Sequence, residues 1–141
     1  LKYVGVTELI AQGMIRIGSS NGFFLLNVFT AAICVLTAFM DNVLAVATFL
    51  PILADIQSIG VYIFPFWWAM LFGGTMFGNA TVIGSTANIV AMGMFEKETG
   101  QGIKFMDWLK PGLAVSAVTI LVAMALLYLQ FPLMPDAPAH F

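Results

Sequence analysis

Gly73-Gly74-Thr75-Met76-Phe77-Gly78-Asn79-Ala80-Thr81-Val82-Ile83-Gly84-Ser85-Thr86-Ala87-Asn88 is the stretch whose reading decides the fold. It sits in the middle of residues 56–95, 40 positions without a charge. A helix rises 1.5 Å per residue, so about 20 residues cross a hydrocarbon core of roughly 30 Å. The run is therefore too long for one helix and too broken by glycine at its centre for two complete ones. It reads as one discontinuous transmembrane helix, with residues 61–77 as a first half, 78–83 as an extended link and 84–95 as a second half. Backbone left unpaired at such depth must be buried in protein or line a wet cavity.

Working outward, the other uncharged runs are 17–40, 42–54 and 111–135. Residues 23–40 nearly suffice to cross, but 43–54 offers only about 18 Å of helix. Between them Asp41-Asn42 ends one apolar helix and supplies an N-cap for the next. Residues 22–55 are accordingly expected to form a re-entrant hairpin, its tip at Asp41-Asn42-Val43. The run from Pro111 to Phe131 fits one spanning helix, with Pro111 in the first turn and Pro132 as the stop. The expected class is an all-α membrane protein.

Composition agrees. Of 141 residues only 12 are charged, five Lys+Arg and seven Asp+Glu, and 61% are apolar. Mean hydropathy is +1.00. A soluble domain carries roughly 25% charged residues, so a cytosolic enzyme is excluded. A net charge of -2 with no clustered basic patch excludes nucleic acid. No Gly-xxxx-Gly-Lys-Ser/Thr loop is present, so the chain does not hydrolyse a nucleotide. Cys34 is single and has no partner for a disulfide or metal site; it and the Met and Phe residues read as packing. His140 reads as solvated, and Asp55, Glu96 and Asp107 as charges at helix ends.

Lys97, Lys104 and Lys110 fall in the connection 96–110, whereas 132–141 carries no cation. The positive-inside tendency makes 96–110 cytoplasmic and the tail 132–141 external. Trp67, Trp68 and Trp108 are candidate interface markers, the first two equally packing residues. Within 1–21, the apolar spacing of Val6, Leu9, Ile10, Met14 and Ile17 suits an interfacial amphipathic segment. Opening on Leu1 rather than Met suggests a piece of a longer polypeptide. Expected surroundings are membrane lipid of a bacterial-type inner (plasma) membrane.

Asp41 is the one acid inside a long apolar run, and its ionised form there requires a partner or a cation. Its carboxylate, the Asn42 amide oxygen and carbonyls freed at the helix end are hard oxygen ligands suited to Na+. The plainer reading is that Asp41 only caps the next helix, and the two readings coexist. Asn79, Thr81, Gly84, Ser85, Thr86 and Asn88 form a second candidate ion- or substrate-binding group around the break. Gly84, opening a half-helix, would present free N–H groups to an anion, and carbonyls near Phe77 would suit a cation. The plainer alternative is packing through Gly74 and Gly78, a small-xxx-small pair.

Taken in order, Asp41-Asn42-Val43, Pro51-Ile52, Phe66-Trp67-Trp68, the 78–88 break, Met92-Gly93 and Phe105-Met106-Asp107-Trp108-Leu109-Lys110 resemble the C-terminal half of the ion transporter superfamily. The nearer branch joins arsenite/anion permeases with NhaD-type sodium/proton antiporters, and the likeness covers about residues 22–129. It implies two inverted repeats, each giving a re-entrant hairpin and a discontinuous helix that meet near midplane, the other repeat lying in the same or a partner chain. It also implies frequent homodimers. Where the dicarboxylate branch has Ser-Asn-Thr, this chain has Asp41-Asn42-Val43, against a dicarboxylate carrier. Asn88 follows the arsenite-like pattern instead of the NhaD-like one. The implied activity is cation-coupled secondary transport of a small inorganic ion by alternating access, without catalytic residues or cofactor beyond bound Na+. Rival expectations are a non-transporting membrane subunit that keeps a half-transporter fold, and a channel-like pore.

Overall fold

A computed structural model describes residues 12–13, 21–58 and 60–135. The expected amphipathic segment in 1–21, His140 and most of the 132–141 tail lie outside them. The described residues are helical and contain no strand: α1 (Gly22–Phe39), α2 (Asn42–Ser58), α3 (Phe64–Met76), a 3-10 turn (Phe77–Asn79), α4 (Thr86–Thr99), α5 (Phe105–Gln130) and a 3-10 turn (Phe131–Leu133). Two of them, Gly22–Phe39 and Phe105–Leu133, are long and apolar enough to cross a membrane.

Asn21 starts α1 in extended conformation, its side-chain oxygen accepting from Phe23 N–H at 2.9 Å. The helix stops at Met40, also extended. Asp41 restarts the chain: its carboxylate Oδ1 accepts from Val43 N–H at 3.0 Å and its carbonyl from Ala45 N–H at 3.0 Å, an N-cap. The second arm is longer than 43–54, running 17 residues through Pro51 to Ser58. An interior proline costs about 3 kcal/mol. Ile52, Leu53 and Ile56, all at most 1% exposed, follow it into the core and offset that cost.

The helical chain breaks within the expected stretch, between α3 and α4, with shifted edges. Pro65 presets the first turn of α3, so the half begins at Phe64 and not at 61. The second half begins at Thr86 and not at Gly84, because Ser85 is extended (φ −152°, ψ 134°). The connection expected over 96–110 shrinks to a few residues. α4 continues to Thr99, where Gly100 takes the left-handed conformation that ends a helix (φ 68°). α5 starts at Phe105, so Pro111 lies inside the helix instead of in its first turn.

The core lies where α1, α2 and α3 meet. The Phe29 ring is fully buried and stands edge-on to Phe49 (5.2 Å between centroids, 90°) and to Phe66 (5.3 Å, 79°). Such pairs add about 0.5–1.5 kcal/mol each beyond area burial. Gly73 admits α1 closely, since a Cβ there would lie 2.5 Å from Ile33 Cγ2. α5 closes the other side through Met124 and Leu127. Val118, Leu121 and Leu129 point outward from it, 61–74% exposed, as a helix set among lipid or further protein requires. α4 is almost wholly exposed, with only Asn88 buried.

Candidate functional site

The two interruptions come together. Asp41, between α1 and α2, receives a hydrogen bond from the Thr86 hydroxyl to Oδ2 at 3.2 Å. Its other oxygen is the one engaged in capping α2. Both donors are neutral, so neither removes the formal charge that carboxylate would carry when ionised. Among the described residues no group of three or more His, Cys, Asp or Glu exists that would hold a metal ion.

Thr81 joins the break to the end of α1. Its hydroxyl donates to Ala38 O and accepts from Gly84 N–H at 3.1 Å. Thr81 is 3% exposed. The backbones approach so closely here that a Cβ on Gly84 would lie 2.5 Å from Gly78 O and 2.7 Å from Thr37 O. Gly84 therefore does not open the half-helix with a free N–H; it is a contact glycine whose N–H is already bonded. Ser85 takes over as the N-cap residue, without a side-chain cap bond.

Asn88, 6% exposed, folds its amide back across the link, Nδ2 donating to Gly78 O at 3.1 Å and to Thr81 O at 3.0 Å. On the far side, α5 supplies two more donors: Trp108 Nε1 to Asn79 O at 3.2 Å and Ser116 Oγ to Met76 O at 3.2 Å. With Ala80 N–H on Phe77 O at 3.0 Å, each of the four consecutive carbonyls from Met76 to Asn79 holds a donor. The carbonyls near Phe77 expected to face a cation thus each have one lone pair engaged by the protein.

Of the expected site residues, the structure brings together Asp41 with Thr86, and Thr81 with Gly84 and Asn88. Asn79 enters through its backbone, while its exposed side chain borders a cavity of about 410 Å³ shared with Asn88, Trp108 and Gly112. Asn42 forms the first turn of α2, half-buried, and makes no described hydrogen bond to the break. Thr37, Ala38, Trp108, Gly112 and Ser116 also belong to the site and were not among the candidates. The spacing of the last three, four residues apart on one helix face, is the sequence signal that marks them.

Breaks in the helical chain bonded to one another accompany two apolar helices of spanning length, as in a helical membrane protein. The chain belongs to the CitMHS citrate transporter family, which matches residues 1–138. It is 31% identical over 140 residues to an uncharacterized transporter of Synechocystis sp., covering 87% of this chain and 31% of that protein. An uncharacterized transporter of Mycobacterium tuberculosis is 25% identical over 130 residues, 90% of this chain and 30% of its own length. The P protein of Homo sapiens is 32% identical over 94 residues, 64% of this chain and 11% of that protein. The chain thus spans about three tenths of the first relatives it matches. No solved structure matches it significantly.

Proposed function

We propose that this chain is one repeat's share of a cation-coupled secondary transporter for a small inorganic ion, with Asp41 as the anchor of the coupling cation. The Thr86-to-Asp41 hydrogen bond carries the reading: it ties the one carboxylate between α1 and α2 to the start of the second half-helix. Asn42, Asn79, Thr81, Gly84, Ser85, Thr86 and Asn88 form the surrounding neutral shell, and Na+ is the cation such hard oxygens favour. In this reading α1 and α2 form a re-entrant hairpin, the remainder of the transporter supplies an inverted counterpart, and alternating access moves the paired unit against its frame. The same reading puts the 96–110 connection on the cytoplasmic side of a plasma-type membrane and allows pairing as a homodimer. No cofactor takes part.

The family match favours a second reading of the cargo, namely citrate entering with a cation that offsets Asp41. The test uses the full-length protein that carries this chain, reconstituted in proteoliposomes with a Na+ or proton gradient. Asp41→Asn keeps an oxygen for the α2 cap and removes the charge, so gradient-driven uptake is lost while insertion is retained. Unchanged uptake in Asp41→Asn overturns the cation anchor. Gradient-driven labelled citrate uptake by the wild type, without Na+/proton exchange, selects the second reading.

A further inference from the structure

We infer that Trp108 and Ser116 are positioning residues: from α5 they hold the carbonyl end of the first half-helix and so fix the shape of the break. The inference rests on the proposed transport reading only for its kinetic arm. A helix leaves its last four carbonyls without internal partners. At the end of α3 the shortfall is met from several directions, and two of the donors come from one face of α5, Trp108 Nε1 on Asn79 O and Ser116 Oγ on Met76 O, each at 3.2 Å. Between them in sequence lies Gly112, where a Cβ would stand 2.7 Å from Asn79 O and 2.9 Å from Ala80 O. The three positions repeat every four residues, so they share one stripe of the helix.

Ser116 is 1% exposed, so its hydroxyl reaches Met76 O in a place where an unpaired carbonyl is costly. Trp108 also walls the cavity that the Asn79 and Asn88 side chains border. If the indole N–H releases Asn79 O, the 3-10 turn loses the bond that orients residue 79, and with it the link that runs on to Thr81, Gly84 and Asn88. The indole is thus part of the break's geometry as well as a ring at its side.

Two measurements on the full-length protein test this. In Trp108→Phe, which keeps an aromatic ring and loses the N–H, and in Ser116→Ala, hydrogen exchange of the amides of 77–88 should quicken, by roughly tenfold for the part-buried Ser116 bond and by roughly threefold for the exposed Trp108 bond. Leu113→Ala, on the exposed side of the same helix, should leave that exchange unchanged. In proteoliposomes with Na+ as the probe, Trp108→Phe should raise the half-saturating Na+ concentration several-fold with maximal rate within about twofold, since binding geometry and not turnover is disturbed. Exchange equal to wild type in both variants, or equal acceleration in Leu113→Ala, overturns the inference. Faster exchange with an unchanged half-saturating concentration in a wild type that responds to Na+ also overturns the positioning role. A wild type without any Na+ response overturns the proposed coupling ion, and the exchange data still decide for or against the hold on the break.

Discussion

The Thr86 hydroxyl donates to the Asp41 carboxylate at 3.2 Å, joining positions 45 apart in the chain. Thr86 opens α4 and Asp41 caps α2, so this bond couples the starts of two helices. Thr86→Val removes the donor and keeps the shape. Because a hydrogen bond to a charged group contributes about 1.5–3 kcal/mol at most and this one is exposed, stability should change by less than about 1 kcal/mol. The half-saturating Na+ concentration in reconstituted vesicles should shift by roughly tenfold or less, and Thr86→Ser should restore it. Thermal unfolding in detergent and the Na+ dependence of uptake check the two halves of the expectation.

Glycine substitutions at two positions should act in opposite directions. Gly84→Ala would push a Cβ to 2.5 Å from Gly78 O, and the obstacle is backbone that has no easy path away. Destabilisation of about 1–3 kcal/mol follows. Gly93, inside α4, has nothing within 4 Å of a built Cβ. Gly93→Ala should stabilise by about 0.5–1 kcal/mol through helix propensity. Apparent melting temperatures of the two variants, measured side by side, should move to opposite sides of the wild type.

Thr81→Val leaves both Ala38 O and Gly84 N–H without the hydroxyl that now serves them. A buried polar group stripped of its partner costs about 1–3 kcal/mol, so this near-isosteric change should weaken the fold and slow or abolish transport. Thr81→Ser, which keeps the hydroxyl, should recover most of both. The check is melting temperature alongside uptake.

Phe29→Ala should be the most damaging core change. The ring contacts Phe49 and Phe66 edge-on and is fully buried. Loss of about 3–5 kcal/mol is expected, whereas Phe29→Leu should cost less because more of the volume is retained. Resistance to denaturing detergent, read by gel filtration, ranks wild type above Leu above Ala.

Both interruptions were legible in the sequence, because a lone acid in an apolar run and a glycine-rich polar patch are anomalies that membrane physics makes conspicuous. Asp41 as a cap followed from its type and place. Helix ends were less legible. Polar Asp55 did not stop α2, since its neighbours Leu53 and Ile56 are buried in the core, and Pro111 sits inside α5. Helices apolar on every side also give no moment to show which face packs inward. For that reason Trp108 read as an interface marker, although its indole N–H serves Asn79, 29 residues away. Gly84 misled for a related reason: its closeness to Thr37 and Gly78 exists only once α1 and the break are folded against each other.

That crowding around Gly73, Gly84 and Gly112 constrains substitution as well as shape. A side chain added at any of the three would reach within 2.5–2.7 Å of a neighbouring atom, so substitution there forces its neighbours to move, while Gly93 is open to it. A larger residue at Gly73 would need Ile33 to give way, and at Gly84 or Gly112 it would need the backbone of the break itself to move.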